Sequence, residues 1–335
     1  MERQERSRGM AERQNIECSI LCRSLSRRLD AGRSCGHPRA MRAIDPWFGL
    51  SSTLEAAKTV VIVGCPFESG DAFRPGADKG PAAIREWACT AEAINEVGDP
   101  INDVRVIDFG DAGPSEGTGE ERWQVIENAA TQALKENPGA FLLGIGGDHA
   151  VTPPLATAAR KVLGEMAFIL LDAHPDCFES YDGDPLSHAC VVPRVWDRAG
   201  FDRATTCIAG VRSYSFEELR CMNAAGLVIP AQRWQVLGNE ELAAEIHDLT
   251  AGMPLYISLD IDLLDPAHAP GTGYPVAGGP DVREVLTLLA QIWRQQPVAA
   301  FDIVEVAPSI DPTGITAANA THILLQALGQ VSAAL

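Results

Sequence analysis

The sequence predicts a single doubly wound α/β domain, with a mainly parallel central sheet of about eight strands and helices on both faces. Short apolar segments alternate with helix-like segments from about residue 58 onwards. Seven of them are the strand candidates: TVVIVGC (59–65), VRVIDFG (104–110), AFLLGIGG (140–147), MAFILLDA (166–173), TTCIAGV (205–211), PLYISLDID (254–262) and VAAFDIVEV (298–306). Their nearly continuous apolar character is typical of strands that are covered on both faces, as in parallel sheets.

Helical patterns lie between these strands. The clearest are GPAAIREWACTAEAI (80–94), EERWQVIENAATQALKE (120–136) and DVREVLTLLAQIWRQQ (281–296). Because strands and helices alternate without a long linker, the sequence favours one domain over two.

The bulk composition argues against several classes of function. The chain has 335 residues, of which 46% are hydrophobic and 21% are charged, as in a globular protein. No apolar stretch approaches the ~18–20 residues of a membrane helix, so no membrane association is predicted. The net charge of −18 argues against nucleic acid as a partner, because phosphate binding needs clustered Lys and Arg. Nine cysteines without a metal-type spacing suit reduced thiols, and the predicted location is the cytoplasm.

The first 43 residues differ from the rest of the chain. They hold ten Arg and five acidic residues, and they have no continuous apolar region of the kind found in a secretory signal. We therefore predict a disordered N-terminal extension over residues 1–43 and a folded domain over residues 44–335. Met41 is an alternative start of the native protein.

Acidic and imidazole groups follow the apolar run MAFILL at alternate positions: Asp172, His174 and Asp176. In a strand, alternate side chains point to one face, so these three groups are expected to project together. Alternate strand residues lie ~6.5–7 Å apart, which suits two neighbouring ions with a shared carboxylate better than one ion. Asp260 and Asp262 repeat this spacing after another apolar run.

His149, in the segment GGDHAVT, completes a set of four carboxylates and two imidazoles. Ligands of open α/β sheets collect beyond the carboxyl ends of the strands, where all of these residues are expected to lie. A mixed oxygen and nitrogen set without thiolates suits manganese-like ions better than structural zinc. Four crowded carboxylates repel one another, and two divalent cations would offset their charge. The sequence therefore predicts a dinuclear metal site.

Several motifs in the chain resemble those of the ureohydrolase superfamily, which includes the arginases and agmatinases. The matching motifs are GCPFESGDAFRPGADKGPAAIRE (64–86), GIGGDHAVTPPL (144–155), LLDAHPDC (170–177), SLDIDLLDPAHAPGTGYPVAGG (258–279) and DIVEVAPSIDPTGITAANA (302–320). The resemblance spans about residues 58 to 330 and favours the agmatinase-like branch, with an arginase-like fold.

The resemblance implies how the metal ligands are shared. His149 and Asp176 would bind one ion, His174 and Asp262 the other, and two bridging carboxylates would contact both. The bridging residues would be Asp172 and Asp260. Manganese is the expected metal and nickel the alternative. A metal-bridging hydroxide would attack the guanidinium carbon of a substrate, and the products would be urea and an amine.

Further roles are implied by the same resemblance. Asp176 is expected to be the first proton acceptor, His188 in LSHACVV a mobile proton shuttle, and Glu305 in DIVEV the acid that pairs with the substrate guanidinium. His268, in DPAHAPG, is expected to be a loop residue without a role in the site. Members of the superfamily often form homo-oligomers, so a trimer or hexamer is expected, with or without a homologous subunit.

The loop FESYDGDPLS contains acidic residues and no Lys or Arg, which disfavours a substrate with a carboxylate such as arginine. If this loop lines the pocket, Glu179 and Asp182 would bind a cationic substrate such as agmatine; a solvated surface loop is the alternative. The chain also departs from the common pattern of the superfamily. The departures are Pro175 and Cys177 within the metal motif, Ala189 after His188, and Tyr274 in place of a Thr.

These departures leave the substrate open. Guanidinobutyrate, guanidinopropionate, guanidine and biguanides are alternatives to agmatine. Two other classes of protein are less compatible with the sequence. A metal-dependent deacetylase would have a single-metal ligand set, and a catalytically silent partner subunit would usually have lost ligands, whereas this sequence has all six.

Overall fold

One sheet of eight parallel strands forms the centre of the described structure. The computed structural model of the protein describes residues 47–53, 58–69, 72–113 and 119–333. The strands are β1 (Lys58–Cys65), β2 (Val104–Asp111), β3 (Phe141–Gly146), β4 (Ala167–Leu171), β5 (Thr206–Val211), β6 (Leu227–Pro230), β7 (Leu255–Asp260) and β8 (Val298–Val304). Their order in the sheet is β2-β1-β3-β8-β7-β4-β5-β6. The prediction of a mainly parallel sheet is confirmed.

Nine α-helices lie in the described part of the chain. They are α1 (Gly80–Ala88), α2 (Gly119–Glu136), α3 (Thr152–Leu163), α4 (Val191–Asp197), α5 (Leu219–Met222), α6 (Ala231–Leu237), α7 (Asn239–Thr250), α8 (Val282–Gln295) and α9 (Ile315–Ala333). None of the described helices is long and apolar enough to cross a membrane.

Both faces of the sheet are buried, as the apolar character of the strands predicts. Successive residues of β1 alternate between two hydrophobic clusters, with Val60 and Ile62 in one and Val61 and Val63 in the other. Side chains of a strand point alternately to its two faces, so each cluster lies on one face of the sheet. A strand placed between two apolar layers has no polar face, which explains its continuous apolar sequence.

The sequence prediction and the structure differ in detail. All seven strand candidates are strands, but β6 was not among the candidates because only four residues form it. The first helical pattern was predicted to reach residue 94, whereas α1 ends at Ala88. The prediction of a disordered extension over residues 1–43 lies outside the described residues.

The topology brings four strand ends together. Strands β3, β8, β7 and β4 are neighbours in the middle of the sheet, and all run in one direction. Their carboxyl ends therefore meet at one edge, where ligand sites of open α/β sheets form. His149 follows β3 and Glu305 follows β8. The aspartates of the two metal motifs follow β4 (Asp172 and Asp176), end β7 (Asp260) or follow β7 (Asp262).

Candidate metal centre and catalytic site

Two strand ends carry the same short turn. After β4, the Asp172 Oδ1 atom accepts a hydrogen bond from the backbone N–H of His174 at 2.6 Å. At the end of β7, the Asp260 Oδ1 atom accepts from the N–H of Asp262 at 2.7 Å. An Asp that bonds to the backbone two residues ahead turns the chain sharply. Each turn folds a pair of ligand side chains back over the sheet edge.

The predicted reason for this convergence was wrong. Strand β4 ends at Leu171, so Asp172, His174 and Asp176 are not alternate residues of a strand. The chain bends instead, and Asp176 adopts a left-handed backbone conformation with φ of 47°. This conformation is uncommon for a residue with a side chain and is typical of functional sites. It places the Asp176 carboxylate beside His149, within reach of the same ion.

The His149 imidazole lies at the centre of one group of ligands. Its Nδ1 atom is 3.2 Å from Asp172 Oδ2, 3.0 Å from Asp176 Oδ2 and 3.2 Å from Asp260 Oδ2. Two ligand atoms that each lie ~2.1 Å from one ion, at ~90° to each other, are ~3.0 Å apart. The spacing around His149 is therefore that of ligands around a single metal ion.

A second group surrounds His174. Its Nδ1 atom is 3.0 Å from Asp262 Oδ2 and 3.6 Å from Asp172 Oδ1. The two groups share Asp172, which offers one oxygen to each. A carboxylate shared in this way is what a pair of bridged ions requires.

Two buried ligand atoms without a hydrogen bond indicate that the residues fit metal ions. His149 Nδ1 and Asp172 Oδ2 are buried, and neither forms a hydrogen bond, although the two atoms lie only 3.2 Å apart. Buried polar atoms without a partner are costly, and a coordinated cation would satisfy both atoms at once. Imidazole nitrogen and carboxylate oxygen are also the ligands that manganese and nickel accept. The six residues fit a pair of divalent ions.

The electrostatics of the cluster agree with this fit. Burial, together with the charges of Asp262 and Asp172, raises the pKa of Asp260 well above its usual range. Burial and the charge of Asp172 raise the pKa of Asp262 to about 6. Burial opposes the charged form of His174, but the neighbouring carboxylates outweigh it and raise its pKa to about 12. The carboxylates are thus crowded enough to need positive charge among them.

A buried chain of hydrogen bonds contacts the His149 ring at Nε2, the nitrogen that does not face the carboxylates. The His149 Nε2 atom lies 3.0 Å from the Ser258 Oγ atom, which donates to Asp302 Oδ1 at 2.6 Å. Thr152 and Tyr256 also donate their hydroxyls to Asp302, at 3.1 and 2.5 Å. Because the Ser258 proton goes to Asp302, His149 must carry its own proton on Nε2. The Nδ1 lone pair is then directed at the metal position.

Glu305 lies beside the cluster. Its Oε1 atom accepts a hydrogen bond from the backbone N–H of His149 at 2.8 Å, and its own N–H donates to the Gly147 carbonyl at 2.7 Å. Glu305 has a φ of 64°, so it joins Asp176 as a residue of the site in the left-handed region. Burial raises its pKa to about 8.

A cavity of about 270 Å³ opens against the cluster. The predicted site residues that line it are His174, Asp176, His188, Asp260, Asp262 and Glu305. The remaining lining residues are Phe178, Tyr181, Ala189, Ser213, Tyr214, Ser215, Glu218, Thr272 and Tyr274. No Lys or Arg is among these described lining residues. The cavity thus combines carboxylates, aromatic rings and hydroxyls.

The fold and this ligand arrangement can be compared with known proteins. The model of the arginase family matches residues 58–329, which is most of the chain. The chain belongs to the arginase family. Its predicted membership of the ureohydrolase superfamily, in the agmatinase-like branch, is confirmed.

Individual relatives of this arginase-family chain agree. An agmatinase from Bacillus anthracis is 35% identical over 271 residues, covering 80% of this chain and 90% of the relative. The proclavaminate amidinohydrolase of Streptomyces clavuligerus is 33% identical over 280 residues, covering 82% and 88%. The solved structure of the latter protein matches with a TM-score of 0.77 at 31% identity, over 84% of this chain and 94% of that chain. The arginase-like fold is confirmed.

Two predicted substrate residues lie elsewhere in this arginase-family chain. Glu179 is exposed and forms an ion pair with Arg194 at 3.1 Å, and Asp182 is exposed at a turn with φ of 49°. Neither residue lines the cavity. Of the two alternatives for this acidic loop, the solvated surface applies to Glu179 and Asp182, because their side chains are exposed.

Glu218 is a cavity residue that the sequence analysis missed. It is only 4% exposed, and its carboxylate accepts backbone N–H bonds from Cys177 at 3.2 Å and Ser215 at 2.8 Å. Its position depends on two distant backbone groups, and no local sequence pattern indicates this. Of the departures from the common pattern, Ala189 and Tyr274 line the cavity, whereas Cys177 packs into a hydrophobic cluster.

Proposed function

We propose that this protein is a metal-dependent, agmatinase-like ureohydrolase that cleaves a guanidino compound to urea and an amine. The main support is two groups of His and Asp side chains that share Asp172, with Asp260 beside His149, at a cavity that also contains Glu305. A catalytically silent subunit would be expected to lack part of this set, so the complete set favours an active enzyme.

Two divalent ions are the proposed cofactors, with manganese first and nickel as the alternative. His149 and Asp176 would hold one ion, His174 and Asp262 the other, and Asp172 and Asp260 would contact both. When bound, the two ions would lower the pKa of water in the site and so supply hydroxide at neutral pH.

The chain's own residues bind the substrate and move its protons. The Glu305 carboxylate would pair with the guanidinium and orient its carbon toward the metal position. Asp176 would accept the proton of the attacking water, because its carboxylate lines the cavity beside His149. His188 would deliver a proton to the leaving nitrogen as the bond from carbon to that nitrogen breaks. A substituted guanidinium and one water thus give urea and an ammonium product.

The charges around the cavity restrict the substrate class. A guanidino acid, or arginine itself, would bring a carboxylate that needs a cationic donor, and the described lining has no Lys or Arg. A cationic or neutral guanidine fits better. Agmatine and more compact guanidines, including guanidine itself and biguanides, both meet this condition.

The test is urea release from a substrate panel. Purified protein loaded with manganese or nickel would be assayed with agmatine, arginine, guanidinobutyrate, guanidinopropionate, guanidine and biguanide. We expect urea from at least one guanidine without a carboxylate, and none after Asp260→Asn. Absence of urea from the whole panel, with both metal positions filled by elemental analysis, would contradict the proposal.

The assembly and the location are also proposals. We expect a homo-oligomer, a trimer or hexamer with or without a homologous subunit, and sedimentation of the purified protein would measure its mass. A cytoplasmic location agrees with the described cysteines, since all six are free thiols.

A further inference from the structure

Five rings form a continuous arc along the cavity. They are Phe178, Tyr181, His188, Tyr274 and His174, and every one of them lines the cavity. Consecutive ring centroids along the arc are 5.2, 5.8, 5.5 and 6.3 Å apart. These separations are those of aromatic contacts, so the rings support one another. The arc reaches the metal ligands, because His174 is its last member.

Tyr274 is held on two sides within this arc. Its ring stacks on His188 with an interplanar angle of 26°, and its hydroxyl accepts the backbone N–H of Phe73 at 2.9 Å. A residue fixed by both ring and hydroxyl cannot turn away without losing both contacts. Tyr274 therefore forms the wall of the cavity between His188 and the metal ligand His174. A Thr at this position would leave the space of the ring open.

The remaining polar groups of the cavity complement a flat cation. Glu218 and Glu305 are buried carboxylates in the lining, and both can accept N–H bonds from the edge of a planar amidine. Delocalised planar cations stack on aromatic faces as an Arg side chain does. A flexible aminoalkyl chain would lose several rotatable bonds in a cavity of about 270 Å³, with a corresponding entropy cost.

We propose that Tyr274 is a specificity-determining residue, which makes the site prefer guanidines with a planar, delocalised substituent over guanidines with a flexible aminoalkyl chain. An amidino substituent, as in a biguanide, is the representative case. Water adds to one amidine carbon, the bond from that carbon to the shared nitrogen breaks, and a proton passes to that nitrogen. The products are urea and guanidine, so atoms and charge balance without a further reactant.

This inference rests on the proposed function, because it concerns the guanidine that the same site accepts. The test compares kcat/KM for biguanide and agmatine, with n-butylguanidine to separate chain flexibility from the terminal ammonium. The metal-loaded wild-type protein is expected to prefer biguanide by at least about tenfold. Tyr274→Thr should reduce this ratio by about tenfold, whereas Tyr274→Phe, which keeps the ring, should change it less than about threefold.

Two further variants make the test independent of one substitution. Tyr181→Leu removes the neighbouring ring of the arc and should also lower the ratio. Phe216→Ala is the matched control, because Phe216 is an aromatic residue that is 92% exposed. It should leave the ratio unchanged.

The outcomes separate the inference from the proposed function. A wild-type preference for agmatine, or an equal ratio in wild type and Tyr274→Thr, would overturn the role of Tyr274. The preference for biguanide over agmatine can also be measured as a difference in binding affinity by calorimetry, which does not depend on turnover. Absence of urea from every guanidine, with both metal positions filled, would instead contradict the proposed function.

Discussion

His149 is linked to the buried carboxylate of Asp302 through one hydroxyl group, that of Ser258. Asp302 accepts hydrogen bonds from three hydroxyl groups, so it polarises Ser258 and fixes the direction of the Ser258 hydrogen bond. The His149 Nδ1 atom lies within 3.2 Å of three carboxylates, and a bound cation would offset their repulsion. Residues outside the ligand set thus determine how one ligand binds.

Ser258→Ala is predicted to weaken metal retention about 10- to 100-fold, because His149 loses the partner that orients its ring and selects its tautomer. Metal content after competition with a chelator measures this effect directly. Ser258→Thr keeps the hydroxyl and should restore much of the affinity. Thr287→Ala, which removes a hydroxyl on the exposed surface of α8, is the control. Retention equal to wild type in Ser258→Ala would refute the role of this chain.

Glu305→Gln is predicted to lower kcat/KM about 100-fold, since a hydrogen bond to a charged group contributes roughly 1.5–3 kcal/mol. The Gln carbonyl oxygen can still accept the backbone N–H of His149, so metal content should not change. Elemental analysis and steady-state kinetics together separate these two effects. Exposed Glu217→Gln is the matched control. Unchanged kinetics in Glu305→Gln would exclude Glu305 as the group that binds the guanidinium.

The metal ligands could be predicted from the sequence, although part of the reasoning was wrong. Aspartate and histidine directly after long apolar runs indicated the edge of a parallel sheet, and the topology confirms that four strand ends meet there. The alternation of Asp172, His174 and Asp176 suggested a common strand face. Their convergence depends instead on a side-chain bond to the backbone and on the positive φ of Asp176. A residue pattern does not contain that information.

The surroundings of the substrate were harder to predict. The presence of acidic residues in a loop does not determine the direction of their side chains. Glu179 was therefore assigned to a pocket that it does not line. Glu218 was not predicted as a cavity residue, because its position depends on hydrogen bonds from the backbone N–H groups of Cys177 and Ser215. Of the departures from the common pattern, Cys177 packs into the core, whereas Tyr274 lies in the cavity. Substrate selectivity depends on contacts between loops that are far apart in sequence.

Asp108, in the edge strand β2, provides a pH-dependent contribution to stability. Arg85 binds both of its carboxylate oxygens, at 2.8 and 3.0 Å, and Trp47 donates its indole N–H at 2.8 Å. Burial opposes ionisation of Asp108, but these bonds outweigh it and hold the pKa below its usual value. A depressed folded-state pKa means that the stabilisation is present above the unfolded pKa, ~4, and is lost as the pH falls further.

Asp108→Asn is therefore predicted to lower the free energy of unfolding by about 2–3 kcal/mol at pH 7. The difference from wild type should shrink as the pH falls below about 4, because the wild-type carboxyl becomes protonated. Urea unfolding of both proteins over this pH range measures the difference. A constant difference at all pH values would show that the charge of Asp108 is not its cause.

Gly147 contacts the segments that follow β1 and β8, and the close approach of these backbones requires a residue without a side chain. Its N–H donates to the Cys65 carbonyl at 2.7 Å, and its own carbonyl accepts from Glu305. A Cβ atom at this position would lie 1.8 Å from the Phe67 carbonyl oxygen, which belongs to rigid backbone. Either the backbone must move or the contact between the strand ends must open.

Gly147→Ala is predicted to destabilise the protein by about 3 kcal/mol or more and to reduce metal retention, because His149 and Glu305 both depend on this backbone. Thermal unfolding and metal content measure the two effects. Gly329→Ala is the matched control. Gly329 lies in α9, where a new Cβ would meet Asn95 at an ordinary 3.5 Å, and Ala should stabilise the helix by up to about 1 kcal/mol. If Gly147→Ala were as stable as wild type and kept its metals, the close packing at this position would not be what holds the two ligand segments together.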